Sequence, residues 1–146
     1  MSLFFKSNNL SLGYGNQLVL NNLDISLKVS NNYEIIGKNG SGKTTLLMCI
    51  SNNFIGNTFN SNIERGDYSF MEIGSSPSLI PKLSLIENIK YFLYKESIDK
   101  KLIVETLNKY QLSEFKEDLI EDYSSVMVKR SELAIADLKK TDILCI

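Results

Sequence analysis

The chain carries 146 residues, 43% of them hydrophobic and 23% charged, a globular composition with enough apolar material for one core. Sixteen Lys and Arg against seventeen Asp and Glu leave a net charge of −1, so no electrostatic hold on nucleic acid or anionic lipid is expected. Histidine is absent, which excludes histidine-based metal sites and catalytic triads.

The opening "MSLFFKSNNL" lacks the charge and apolar pattern of a signal peptide, and no run is long and apolar enough to cross a bilayer. "LFF" and "LVLNNLDISLKV" show strand-like alternation, broken by the turn "GYGN". Next comes "EIIGKNGSGKTTLL", residues 34–47, in which Gly37, Gly42, Lys43 and Thr44 fit G-x-x-x-x-G-K-[ST]. "EII" reads as a buried strand before the loop and "TTLLMCI" as part of a helix over 43–51 after it. Glycines at 37, 40 and 42 permit conformations closed to other residues, so that main-chain amides of Gly37, Lys38, Asn39, Gly40, Ser41 and Gly42 can turn onto phosphate oxygens. No Ser, Asp or Asn is placed to cap the helix, which leaves its amides and positive dipole end to an anion. In such a loop Lys43 reaches the β- and γ-phosphates, the Thr44 hydroxyl takes a place on Mg²⁺, and Thr45 adds a phosphate contact.

Beyond the helix, "SNNFIGNTFNSNIERG" reads as a polar connection into a strand at "DYSFMEI". From Ser84 the apolar period lengthens: Ser84 and Glu87 form a capping box, and Leu85, Ile86, Ile89, Phe92 and Leu93 share one helical face over 84–96. A second helix starts after Ser97 and carries Ile98, Leu102, Ile103 and Leu107; a third spans 125–139; "DILCI" is a short apolar strand. Cys49 and Cys145 both lie in apolar segments and are expected to be reduced and buried. Strands alternating with helices around a phosphate loop imply a single α/β domain over 1–146, with a helical insertion at 84–120.

In this order the motifs resemble the nucleotide-binding domain of ABC transporters. "GKNGSGKTTLL" is close to the family's phosphate loop, and Tyr14 stands upstream at the spacing of its adenine-stacking aromatic. "SPSLIPKLSLIENI" (76–89) resembles the segment after the glutamine loop. "YSSVMVKRSELAIADLKKTDILCI" (123–146) resembles the signature motif, its helix and the Walker B strand. The resemblance implies a P-loop NTPase fold with an antiparallel β subdomain, ATP and Mg²⁺ as ligands, a second ATP-binding domain as partner, and a multi-span membrane subunit facing the helix at 84–96. It implies a peripheral location on the cytoplasmic or mitochondrial matrix face of a membrane. "IGSSPSLIPKLSLIENIKYF" looks most similar to the haem-exporter ATP-binding subunit of cytochrome c maturation, and paired asparagines at 8, 21, 31 and 52 fit the AT-rich coding of an organelle genome.

The chain also departs from the family pattern. Ser75 stands where the family places its glutamine. Tyr123, Ser124, Ser125 and Val126 replace a Leu-Ser-Gly-Gly signature: Ser124 can still donate to a γ-phosphate held by a second subunit, whereas Val126 crowds the approach. The aspartate and glutamate that the family places after "ILCI" are not among the 146 residues, so no catalytic residue is assigned. The expectation is the front two-thirds of a domain, truncated at the Walker B strand, that binds ATP without cutting it. The alternatives are a soluble ABC-type ATPase outside transport, or a non-catalytic nucleotide-binding relic.

Overall fold

The computed structural model describes residues 2–74 and 76–146, which fall into two compact units, Met1–Ser69 and Phe70–Ile146.

In the first unit, strands β1 (Leu3–Tyr14) and β2 (Gln17–Lys28) form an antiparallel hairpin in register from Leu3 opposite Lys28 to Tyr14 opposite Gln17. The two-residue turn at Gly15–Asn16 has Gly15 at φ +56°, as a tight hairpin requires. One register shift falls between Ser7 and Leu10, where Asn9 sits at φ +55°; a short polar side chain makes this left-handed excursion tolerable. The free edge of β1 is filled by two short strands, β3 (Asn57–Phe59) opposite residues 11–13 and β4 (Asn62–Arg65) opposite residues 5–8.

These two strands lie within what the sequence marks as a polar connection. "NTF" and "NIER" are too short and too polar to show a two-residue period. They form because the buried backbone of β1 needs partners on its second edge. Helix α1 (Lys43–Ile50) buries Leu46, Cys49 and Ile50 in this unit, while Phe5, Leu10 and Leu12 are fully buried on β1. Arg65 fastens the end of α1. Its guanidinium donates to the Cys49 carbonyl at 2.7 Å and lies 5.3 Å from the centre of the Phe5 ring.

The strand expected at "EII" is not formed. Residues 31–38 have no regular structure, no described strand pairs with 34–36, and Ile36 is 83% exposed. Two apolar residues after a glutamate cannot hold an extended ladder without a hydrogen-bonding neighbour and apolar cover.

In the second unit β5 (Phe70–Glu72) pairs in parallel with β6 (Ile143–Cys145). Helices α2 (Leu85–Phe92), α3 (Lys100–Lys109) and α4 (Ser125–Lys139), with a 3₁₀ turn at Ile120–Asp122, enclose a core that includes Leu79, Leu85, Ile89, Leu107, Leu112, Ile135 and Leu138. The Ser84–Glu87 capping box forms: Ser84 Oγ accepts from the Glu87 amide and Glu87 accepts from the Ser84 amide. Two boundaries differ from expectation. The 84–96 helix ends at Phe92, where Leu93 closes the apolar stripe and polar residues follow. The helix expected directly after Ser97 begins instead at Lys100 and so leaves out Ile98, because Asp99 is its cap, the carboxylate accepting from the Lys101 amide. Cys49 and Cys145 are free and buried.

Candidate functional site

The loop from Gly37 to Gly42 leads directly into α1, and each part of it serves the helix N-terminus. Gly42 is the N-cap at φ +91°, in the left-handed region, and no side chain caps the helix. A Cβ at Gly42 would meet Leu20 Cδ2 at 2.7 Å and Val19 Cγ1 at 3.1 Å, so β2 backs the loop closely enough to exclude any other residue. Gly40, at φ +78°, supplies a second left-handed step. Gly37 has no positive φ, and a Cβ there would come within 2.6 Å of Ser41 Oγ, a side-chain end that can turn aside, so the demand for glycine is weaker here than at 40 and 42. Ser41 closes the turn by donating its amide to the Lys38 carbonyl at 3.2 Å, with exposed Asn39 between them.

The first backbone bond into the helix runs from the Leu46 amide to the Gly42 carbonyl at 2.9 Å. The amides of the preceding turn, backed by the helix dipole, form an array suited to an anion. Lys43 folds its ammonium over the loop, donating to the carbonyl oxygens of Gly37 at 2.8 Å and Lys38 at 2.9 Å. A mobile cation parked on neutral carbonyls beside an uncapped helix end can exchange them for phosphate oxygens. The Thr44 side chain is exposed and open to a metal carried by the phosphates. Thr45 is buried, so its hydroxyl is a weaker candidate for a phosphate contact than the sequence suggests. The residues present therefore fit a Mg-polyphosphate: a glycine cradle that a Cβ would fill, one cation and one free hydroxyl.

Tyr14 ends β1 rather than occupying the turn, and is 46% exposed. Its ring meets Phe54 edge-on, centroids 5.5 Å apart at 63°. Asn57 holds the adjoining turn by donating to the Gly15 carbonyl at 2.8 Å. Phe54 carries no motif that would mark it in the sequence.

In the second unit Ser124 is the N-cap of α4, its hydroxyl accepting from the Met127 amide at 3.2 Å. The capping role and a phosphate contact are compatible, because the hydroxyl proton is still available to donate. Val126 is 57% exposed on the first turn of α4. Ser75, the glutamine position, lies outside the described residues.

Sequence reasoning also passed over Glu132. It is fully buried, although it lies on the same helical stripe as Val128 and Ile135, where a carboxylate among apolar residues is the signal of a specific partner.

Residues 20–146 match the family described as ABC transporter. The chain belongs to the ABC transporter family. It is 27% identical over 163 residues to the Fe(3+) ions import ATP-binding protein FbpC of Fusobacterium nucleatum, an alignment covering 99% of this chain and 42% of that protein. It is 29% identical over 146 residues to the lantibiotic transport ATP-binding protein SrtF of Streptococcus pyogenes, covering 95% of this chain and 63% of the relative. The chain thus spans about half the length of these relatives. A solved structure of an ATP-binding subunit of an ABC transporter superposes with a TM-score of 0.82 at 19% identity, over 97% of this chain and 64% of the other. The fold is accordingly that of an ABC ATPase, an α/β architecture with an antiparallel sheet and accompanying helices. Among the described residues no helix is long and apolar enough to cross a membrane.

Proposed function

We propose that this chain is the ATP-binding part of an ABC transporter and that it holds Mg-ATP on one face of its first unit. Residues 37–45 take the phosphates, with Lys43 as the cation and Thr44 as the protein ligand to magnesium, and Tyr14 stacks on the base. The observation that carries this reading is the Lys43 ammonium resting on the Gly37 and Lys38 carbonyls beside a helix with no side-chain cap. A second copy or a homologue supplies its Ser124 region to the γ-phosphate. The residues 84–120 act as a helical part of one domain whose outer side, with Tyr91 and Tyr94 exposed on and after α2, receives a membrane subunit. Attachment to the membrane is then peripheral, through that subunit.

The cargo reading stays coarse. The haem-export and mitochondrial assignments draw no support from the relatives above, whose names carry ferric iron and a lantibiotic. A second reading, nucleotide binding without turnover, is favoured by one feature: the branched, exposed Val126 stands where the resemblance places a glycine.

Calorimetric titration of the purified chain with Mg-ATP tests the proposal. Saturable binding is expected, with tripolyphosphate competing. Folded protein that ignores millimolar Mg-ATP would overturn the reading.

A further inference from the structure

The buried carboxylate of Glu132 has no role in holding a nucleotide, yet it is among the most completely enclosed polar groups in the chain, at 0% exposure. Its partners identify what it does. Oε1 accepts from the Ser78 amide at 2.8 Å and from the Ser78 hydroxyl at 3.0 Å; Oε2 accepts from Lys129 Nζ at 3.1 Å. Lys129, one turn earlier on α4, donates its ammonium also to the Gly74 carbonyl. Helix α4 therefore grips the segment after β5 at two points, Gly74 and Ser78. A second buried amide takes over further along: Asn88 on α2, also 0% exposed, accepts from the Ile80 amide at 2.8 Å. It donates to the carbonyls of Ile80, Leu83 and Ser84 at 3.1, 3.3 and 2.9 Å. A set of polar contacts anchored on two buried side chains thus runs from α4 through Gly74, Ser78 and Ile80 to α2.

We propose that Lys129 and Glu132 are positioning residues that make Gly74 and the residues 76–80 move with α4, linking the Ser124 end of α4 to α2. A buried charge is retained only where its partners are fixed, since an enclosed carboxylate without them is heavily penalised. The contacts give the link a path: an event at the N-terminus of α4 is carried by Glu132 to Ser78 and by Asn88 to the helix with the exposed tyrosines, and the reverse holds equally. The proposal rests on the nucleotide reading above only for its trigger; the tie itself is made by Lys129, Glu132 and Ser78, none of them a residue of the nucleotide site.

Site-resolved amide hydrogen exchange on the full chain tests it, with Glu132→Gln, Glu132→Ala and Ser78→Ala as the series. Gln keeps an oxygen for both Ser78 donors, so exchange at Ser78 and Ile80 should stay within about twofold of the parent. Ser78→Ala, at an exposed position that does not threaten folding, removes the hydroxyl bond alone and should speed exchange by about threefold. Glu132→Ala removes both bonds and should speed it by about tenfold or more, with residues 102–107 of α3 unchanged. Equal exchange at Ser78 and Ile80 in all variants, or acceleration spread evenly over residues 70–146, overturns the tie. Mg-ATP supplies the second arm. Protection at 37–45 in parent and variants alike, with a response at 78–80 only in the parent and Glu132→Gln, supports the link; a response at 78–80 that survives Glu132→Ala overturns it. Absence of protection at 37–45 in the parent counts against the nucleotide reading instead, while the nucleotide-free series still decides the tie.

Discussion

The Lys43 ammonium lies 2.8 Å from the carbonyl oxygen of Gly37, six residues earlier, so the loop is closed on its own cation. The lysine is held in place over the helix N-terminus, and a polyphosphate need only displace two carbonyl oxygens to claim it. Lys43→Ala should therefore weaken Mg-ATP binding by about thirtyfold or more, the scale of truncating one partner of a hydrogen-bonded charge pair at ~2–5 kcal/mol. The fold should be unaffected, because Lys43 fills no core position. Titration calorimetry paired with circular dichroism checks both halves; unchanged affinity would remove the loop from the site.

The Tyr14–Phe54 pair separates base recognition from phosphate recognition. Tyr14→Ala should cost ATP about 1–3 kcal/mol, the value of stacking one base on an aromatic ring. Phe54 never touches the ligand in this reading. It fixes the Tyr14 ring from the side, so Phe54→Ala should lower ATP affinity by a smaller factor, about twofold to tenfold, as an edge-on aromatic contact of ~0.5–1.5 kcal/mol suggests. Tripolyphosphate should bind all three proteins alike. An equal loss for the base-free ligand would show that both residues support the loop itself.

What the sequence made legible follows the range of the interactions involved. The left-handed glycines at 40 and 42, the uncapped helix behind them, the Ser84–Glu87 box and the helix from Ser125 to Lys139 depend on neighbours within a few residues, and all are formed. Strands β3 and β4 were missed because their cause lies some 50 residues away, in the open edge of β1. The same long-range dependence explains the failure at 34–36, where apolar character alone suggested a strand that has no ladder partner. Glu132 and Asn88 were passed over although each falls on an apolar stripe, and their partners, Ser78 and Ile80, carry no signal at all, since a polar side chain's choice among several backbone groups is set by packing.

Asn88 should be among the most sensitive positions in the second unit. Its one amide group serves four backbone contacts in a site with no solvent. Asn88→Ala leaves the Ile80 amide without its partner, while the carbonyls of Ile80, Leu83 and Ser84 each lose one donor but keep a backbone amide, so the loss of stability should be ~1–3 kcal/mol, the cost of one buried group left unpaired. Asn88→Asp should be no milder, although nearly the same shape: a carboxylate can accept from Ile80 but turns negative charge toward three carbonyl oxygens. Urea unfolding measures both. A loss below about 1 kcal/mol for Ala would mean that water replaces the amide, contrary to its burial.

Tyr123 gives the second unit a dependence on alkaline pH. Its hydroxyl donates to the Phe115 carbonyl at 2.6 Å, and burial, with Asp118 adding a smaller like-charge effect, pushes the phenol up to about 12. The folded state thus favours the neutral form relative to an unfolded chain, where a tyrosine titrates near ~10. The stabilisation is complete below about pH 10 and is lost as pH rises from there through about 12. Buried Cys49 and Cys145 are shifted in the same direction by desolvation, so the parent's alkaline slope has several sources. Tyr123→Phe isolates one of them: it should lower stability at neutral pH by about 1 kcal/mol, for the lost hydrogen bond, and flatten the fall between pH 10 and 12. Urea midpoints of parent and variant at matched pH values decide the matter. If the two curves stay parallel across that interval, the phenol ionises in the folded state as freely as in the unfolded one, and burial beside Asp118 does not hold it neutral.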